Sequence, residues 1–315
     1  MRWFDNWMKR ERRASRADSH TFGMHCPRPL QTDLSLSDFR FIRAIGYGFA
    51  STVFEAEHNP SKTHCVIKVC MKTRMNGEEM KRIRREIRNH SNIYHRHVLT
   101  FFAAFEDSTA FYLVMEYASQ GDLYSYIKKQ YAGRVHLHRF IYFILQPLLH
   151  TVAYLHDQNI IHRDIKPENI LVDQNSIIRL CDFGLSIQCR NERPRSVVGT
   201  LEYMPPELLL GKTDNFTKKI DIWALGVLTF ECLVGHSPFS AKTDEEIKQK
   251  ILQLDIDFGK VQCEIMRDFI TKCLTFDPDQ RPDVETLLHH DALHPEVWHS
   301  HSGASTRHKR SFSFT

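Results

Sequence analysis

The stretch His162-Arg163-Asp164-Ile165-Lys166-Pro167-Glu168-Asn169 packs a carboxylate, a cation and a carboxamide into eight residues, and Asp182-Phe183-Gly184 follows closely. Each of these side chains suits one task in moving a phosphoryl group. Asp164 can accept the proton of a hydroxyl as a general base. Lys166 can stabilise charge on the group in transfer. Asn169 and Asp182 offer oxygen ligands for magnesium, a hard cation. Chemistry of this kind is mostly positioning and charge neutralisation. Phe183 would pack to hold Asp182, and Gly184 would allow the turn. A chance loop of charged residues is the alternative, and the length of the pattern argues against it.

A second group lies upstream. Gly46-Tyr47-Gly48-Phe49-Ala50-Ser51-Thr52-Val53 sits between two strand-like runs. Glycines let a backbone approach phosphates and aim its N–H groups at them, although ordinary turns use the same spacing. Lys68, in the apolar run Cys65-Val66-Ile67-Lys68, is either an edge lysine with its head in water or a cation for the α- and β-phosphates of ATP. The second role needs an acid partner. Glu86 is the lone acid of Lys81-Arg82-Ile83-Arg84-Arg85-Glu86-Ile87-Arg88, though a solvated helix face would also explain it. Met115-Glu116-Tyr117-Ala118 ends a strand ahead of Gly121; on periodicity alone Met115 is a core residue.

The elements that must position these groups can be read from the pattern. Alternating or β-branched and aromatic runs predict strands near 39–42, 53–57, 65–70, 101–105 and 111–116, with a charged helix over 77–94 between them. From Leu123 onward helices dominate, broken by a strand-rich stretch over 160–181. A strand-rich first third and a helix-rich remainder imply an α+β protein of two lobes with a cleft between them. Pro147 falls inside a predicted helix, at a local cost of about 3 kcal/mol or a kink.

Composition narrows the function classes. Of 315 residues 42% are hydrophobic, enough for one large or two modest cores. The net charge is only +4, and residues 1–38 carry seven Lys or Arg against five Asp or Glu; the basic character belongs to the ends, and nothing suggests a nucleic-acid-binding surface. Eight scattered cysteines without a C-x-x-C suit free thiols in a reducing compartment. The charged N-terminus lacks the apolar core of a signal peptide. The longest apolar run, 140–155, is too short and too interrupted to span a bilayer and reads as a buried helix. The reading divides the chain into a basic segment, 1–38, expected to be disordered with a candidate amphipathic helix; a domain, 39–290; and a basic, His-rich tail, 291–315, also expected to be disordered.

Over about 39–290 the chain resembles the eukaryotic serine/threonine protein kinases, and within them it is most similar to the Aurora kinases. The segments that carry the likeness are Arg84-Arg85-Glu86, Ile161 through Asn169, Gly199-Thr200-Leu201-Glu202-Tyr203-Met204-Pro205-Pro206-Glu207 and Leu233-Val234-Gly235-His236-Ser237-Pro238-Phe239. The resemblance implies the bilobal kinase fold: a small lobe of antiparallel sheet with one main helix, and a larger, mostly helical lobe. It implies ATP and Mg2+ as cofactors, with Asp164, Lys166, Lys68 and Glu86 as catalytic residues and Asn169 and Asp182 as metal ligands. Ile45, Gly46, Gly48, Val53, Val66, Lys68, Met115, Glu116, Ala118 and Leu171 would bind the nucleotide, with Met115 as gatekeeper and 115–118 as the adenine-binding hinge. Ser196 and Thr200 would belong to the activation segment; phosphate on Ser196 could pair with Arg163, and Thr200 should face Asp164 and Lys166, as expected for serine/threonine substrates. Asp122, Glu168 and Glu231 match positions that receive arginine upstream of the target hydroxyl. Glu207 would pair with Arg281, and Asp221 would support the catalytic loop. The chain departs from the family at Ser51, which replaces a glycine, at Leu185, which replaces a tryptophan, and at Pro147.

Further expectations concern the ends and the setting. Trp3, Phe4, Trp7 and Met8 recur at helical spacing beside Lys9, Arg10, Arg12 and Arg13, which suits a membrane, a partner or the small lobe. Arg12-Arg13-Ala14-Ser15 and Arg193-Pro194-Arg195-Ser196 fit self-phosphorylation of Ser15 and Ser196. Histidines 289, 290, 294, 299 and 301 lack the companions of a defined metal site. Expected partners are proteins with Arg or Lys upstream of Ser or Thr and an activating protein on the small lobe, for a monomeric kinase domain. The setting would be cytoplasmic or nuclear, at spindle or centrosome by family analogy, in mitosis and the cell cycle. Two other readings stand beside this one: a basophilic kinase of the calcium/calmodulin-dependent type, and an inactive scaffold with a kinase fold.

Overall fold

The structure, a computed structural model, describes residues 34–131, 133–189, 199–211 and 217–294. Strand β1 (Phe39–Tyr47) pairs with β2 (Ser51–His58), β2 with β3 (Thr63–Met71), β3 with β5 (Ala110–Glu116) and β5 with β4 (Phe101–Glu106), all antiparallel. Side chains of a strand alternate between faces, and here the alternation divides the small lobe into two cores. Cys65 and Ile67 of β3 join Ala110, Tyr112 and Val114 of β5 on one face. Val66 and Cys70 join Phe111, Leu113 and Met115 on the other, against Ile87 of helix α1 (Gly77–His90). Lys68 lies between Val66 and Cys70 in that period, so it points toward α1.

Helix α1 starts where Asn76 accepts from the N–H groups of Glu78 and Glu79, with Glu79 reaching back to the Asn76 N–H. This is a capping box. The helix is one turn shorter than its charge pattern predicts. It ends at His90 because Asn92 takes the Arg88 carbonyl at 2.8 Å and the chain turns.

The large lobe is built around helix α6 (Lys219–Val234), nearly all of which is buried. Around it lie α2 (Leu123–Tyr131), α3 (Leu137–Phe140), α4 (Gln146–Asp157), α5 (Pro206–Leu209), α7 (Asp244–Gln253), α8 (Glu264–Cys273) and α9 (Val284–Leu288). A Cβ at Gly226 would sit 2.7 Å from Cys273 Cβ, so only glycine lets α6 and α8 approach this closely. Pro147 does not break its helix. Residues Ile141–Leu145 form a π-helical turn joining α3 to α4. The wider i→i+5 pattern suits a proline, which has no N–H for the i−4 carbonyl. Thr151 then takes the Pro147 carbonyl at 2.7 Å.

The packed core reaches past both expected domain limits, through buried Leu34 at one end and Ala292 and Leu293 at the other. All seven cysteines among the described residues are free, and no helix among those residues is long and apolar enough to cross a membrane. The expected N-terminal helix, Ser15, Arg193, Arg195, Ser196 and the tail from 295 lie outside the described residues.

Candidate active site

Short strands β6 (Ile160–Ile161), β7 (Ile170–Val172), β8 (Ile178–Leu180) and β9 (Ile187–Gln188) frame the cleft below the sheet. The loop from β6 to β7 carries Asp164, Lys166 and Asn169. It hangs from Asp221, a buried residue in the first turn of α6. That carboxylate accepts from the backbone N–H of His162 at 3.0 Å, from the N–H of Arg163 at 2.9 Å and from His156 Nε2 at 2.9 Å. Burial opposes its ionisation, but these donors outweigh burial and hold its pKa below the usual carboxylate range.

The loop's side chains converge. Lys166 Nζ lies 3.0 Å from Asp164 Oδ2 and donates to Thr200 Oγ1 at 2.7 Å. Asn169 Nδ2 donates to Asp164 Oδ2 at 2.7 Å and to its carbonyl at 2.8 Å. Thr200 follows Gly199, whose φ is +122° and whose Cβ, if present, would lie 3.3 Å from the Arg163 carbonyl; glycine is required for the segment to reach the loop.

Across the cleft Lys68 Nζ sits 2.8 Å from Glu86 Oε1 and 3.4 Å from Asp182 Oδ1. The side chains of Lys68 and Glu86 are 17% and 2% exposed, while that of Asp182 is 47% exposed. Burial works against the lysine's charge, but the carboxylates of Asp182 and Glu86 outweigh it and raise its pKa well above the ordinary value. The same ammonium, with help from His162 and the Gly184 N–H, holds Asp182 below the usual range. The edge-lysine alternative is excluded by this geometry.

The donor set fits a divalent cation shared with phosphates. Asp182 opens to the cleft, and Asn169 spends its amide nitrogen on Asp164, which leaves its amide oxygen for a metal. Among the described residues no group of three or more His, Cys, Asp or Glu could hold a metal alone. A cation that keeps few protein ligands and takes the rest from phosphate and water matches that arrangement. His289 and His290 bind the Glu285 carbonyl and Asp268 instead.

Above the loop, Val66, Met115 and Ala118 belong to one apolar cluster, with Val53, Leu171 and Cys181 packed against it. Val66 lies opposite Met115 in register. Glu116 is braced by Thr100, whose N–H and hydroxyl donate to its carboxylate at 3.1 and 2.9 Å. Ile45 stands 40% exposed on β1. Gly46 and Gly48 flank the tip of the β1–β2 hairpin, where the Gly48 N–H donates to the Ser51 carbonyl at 2.8 Å. The Ser51 Oγ lies 2.8 Å from where a Gly48 Cβ would be.

Of the three acids matched to basic substrate residues, two are gathered. Burial raises the pKa of Glu231; the Tyr203 hydroxyl, donating at 2.6 Å, opposes the rise, and the carboxylates of Glu168 and Glu202 add to it. Asp122 stands apart from them. It caps α2, accepting from Ser125 N–H at 2.8 Å and Ser125 Oγ at 2.9 Å. Glu202 escaped the sequence reading, although it stands within the quoted Gly199–Glu207 stretch. Glu207 and Arg281 form the expected buried pair, with bonds of 3.0 and 3.1 Å.

His90 also went unrecognised. Its ring packs, tilted, between Phe101 (centroids 5.2 Å) and Phe183 (4.6 Å), and Phe183 meets His162 at 4.9 Å. Standing one turn after Glu86 on α1, it ties the lysine's partner to the neighbour of Asp182. Its Nε2 lies 2.7 Å from the Leu99 carbonyl, and burial pushes its pKa down to about 4. The unfolded chain takes up this proton below about pH 6.5, and the folded protein does not until about pH 4. Stability should therefore fall on acidification through that window, by about 1.4 kcal/mol per pH unit from this group. Melting temperatures of the parent and of His90→Leu across pH 4–7 check this; an unchanged slope in the variant contradicts it.

Comparison with known proteins agrees with this geometry. The protein kinase domain family matches residues 39–293. The chain is 37% identical over 264 residues to an Aurora kinase of Patiria pectinifera, covering 84% of this chain and 64% of that protein. It is 34% identical to Aurora kinase B of Danio rerio, covering 82% and 79%, and 33% identical to Aurora kinase C of Mus musculus, covering 81% and 91%. The chain belongs to the Aurora family of serine/threonine protein kinases. Membership implies use of ATP and a divalent metal, and protein substrates. The bilobal architecture expected of the family is present, with its five-stranded sheet and helical large lobe.

Proposed function

We propose that this Aurora-family kinase is catalytically active and transfers the γ-phosphate of ATP to serine or threonine in proteins that carry basic residues upstream of the target. The observation that carries this reading is the simultaneous closure of both halves of the cleft: Lys68 on Glu86 and Asp182 above, and Lys166 on Asp164 and Thr200 below. Adenine would lie between Val53, Val66 and Leu171, against the backbone of Glu116 and Ala118. Lys68 would hold the phosphates, and Asn169 and Asp182 would hold Mg2+, which when bound neutralises phosphate charge. Asp164 accepts the hydrogen bond of the substrate hydroxyl, and Lys166 steadies the group being transferred.

Two observations support a basic substrate: the carboxylates of Glu168 and Glu202 lie near enough to Glu231 to raise its pKa, and the cavity beside Glu231, Pro167 and Tyr124 measures about 190 Å3. Self-phosphorylation of Ser15 and Ser196, an activating protein on the small lobe, and work at spindle or centrosome in cell division complete the reading; the last two rest on family analogy. The test is a pair of serine peptides, with and without upstream arginines, turned over by the full chain and by Glu231→Gln. The arginine peptide should be preferred by at least about tenfold in kcat/KM, and the variant should lose most of that preference. Equal turnover of both peptides by the parent contradicts the basic preference. Phosphopeptide maps of the parent and Asp164→Asn should differ at Ser15 and Ser196; equal labelling sinks the self-phosphorylation idea.

A further inference from the structure

At the outer lip of the nucleotide slot, three polar or aromatic side chains from β1, β3 and the hinge gather around one carboxylate on β2. Glu55 on β2 is 10% exposed at its side chain, and both its oxygens are taken. Arg43 on β1 donates to Oε2 through Nε at 2.8 Å, with Nη2 2.7 Å from the same oxygen, and His64 Nε2 on β3 lies 2.9 Å from Oε1. The same two cationic or polar partners then reach the hinge. Arg43 Nη2 donates to the Tyr117 hydroxyl at 3.4 Å, and the His64 ring packs on the Tyr117 ring with centroids 4.5 Å apart.

The register explains why these groups meet. Glu55 is two residues from Val53 on β2, and His64 is two residues from Val66 on β3, so each shares the face that carries the apolar lining of the slot. Arg43 lies opposite Glu55 across the β1–β2 ladder. Tyr117 stands between Glu116 and Ala118. A carboxylate this enclosed is costly without partners, and charge-assisted bonds to a guanidinium are the strong, directional kind.

We propose that Arg43, Glu55, His64 and Tyr117 form a clamp that sets the spacing between the sheet and the hinge, and so positions the purine of ATP. These are positioning residues, since none has to touch the reacting atoms. The clamp rests on the nucleotide reading given above. It acts on nucleotide affinity: with the hub removed, Tyr117 and the hinge backbone are free to drift from the sheet, while the loop bearing Asp164 is untouched.

The experiment measures ATP KM and kcat at saturating peptide, and the Kd of a fluorescent ADP analogue, for the full chain and its variants. Glu55→Leu should raise ATP KM and the analogue's Kd about fivefold or more, with kcat held within about twofold. Arg40→Gln breaks the 3.1 Å Arg40–Glu57 pair between the same two strands, farther from the hinge, and should leave both unchanged. Should Glu55→Leu fail to fold, Tyr117→Leu keeps the ion pairs intact and should give the same rise. Unaltered KM and Kd in a folded Glu55→Leu or Tyr117→Leu protein overturns the clamp, as does an equal rise in Arg40→Gln. Val66→Phe, which fills the slot, separates the two claims: if it leaves nucleotide binding intact, the nucleotide reading fails; if it abolishes binding while the clamp variants behave as the parent, the clamp alone fails.

Discussion

Asp164→Asn is expected to lower kcat by about 10²- to 10⁴-fold, the span that a positioned general base contributes. The amide keeps the size of the side chain and can still meet Asn169 and Lys166 at the distances seen here, 2.7 and 3.0 Å. What it loses is the negative charge that draws the hydroxyl proton and that fixes the ammonium of Lys166 beside Thr200. Nucleotide affinity should change little, because the slot lies above the loop. A fall in kcat without a matching rise in ATP KM marks an interaction made in the transition state. Steady-state kinetics with an arginine-containing serine peptide checks it; a kcat within tenfold of the parent's would remove Asp164 from the role of base.

Asp221→Ala should damage stability and activity together. The carboxylate is the single acceptor for two backbone N–H groups of the catalytic loop and lies against His156. Leaving these buried donors without their acceptor costs about 1–3 kcal/mol each, together a large share of the 5–15 kcal/mol or so that holds a domain together. A drop in melting temperature of roughly 10 °C follows for a domain of this size, with kcat falling because His162 and Arg163 lose their anchor. The pH dependence has a definite sign. Asp221 titrates lower in the folded state than in the unfolded chain, so its stabilisation is present above the ordinary carboxylate value of about 4 and is lost as pH falls through the folded value below it. Thermal melts of parent and variant at pH 3–7 read this directly: the gap between them should narrow at the acid end. A constant gap would mean that the charge contributes nothing.

The parts of the site most legible in the sequence are those set by local periodicity. Lys68 falls between Val66 and Cys70 on one face of a strand, and Glu86 is the one acid on the buried side of a basic helix, so alternation and burial together predict their meeting. The loop from His162 to Asn169 is legible because its roles are close in sequence. What escaped depends on groups far apart in the chain. The ring column through Phe101, His90, Phe183 and His162 draws on four segments, and no period links them. Glu55 and His64 read only as polar interruptions of β-strands until the β2–β3 register and the hinge are known. Asp122 carries a second signal that was passed over: Asp122-Leu123-Tyr124-Ser125 has an N-cap pattern, and likeness to a substrate-binding position drew attention from it. Pro147 was legible as a disturbance, but its accommodation by a π-turn depends on how the preceding residues pack.

A working cleft of this geometry moves the γ-phosphate of ATP to serine or threonine. The most direct measurement is transfer of labelled γ-phosphate, with Mg2+ present, by the full chain to an arginine-containing serine peptide, beside Lys68→Met. Lys68→Met removes the ammonium that joins Glu86 to Asp182 and leaves the fold's main cores intact. Labelled phosphoserine is expected from the parent, with a loss of at least about 10²-fold in the variant. No label from a folded, Ser196-phosphorylated parent, or equal label from both proteins, would contradict it and favour a scaffold that keeps the kinase fold without its chemistry.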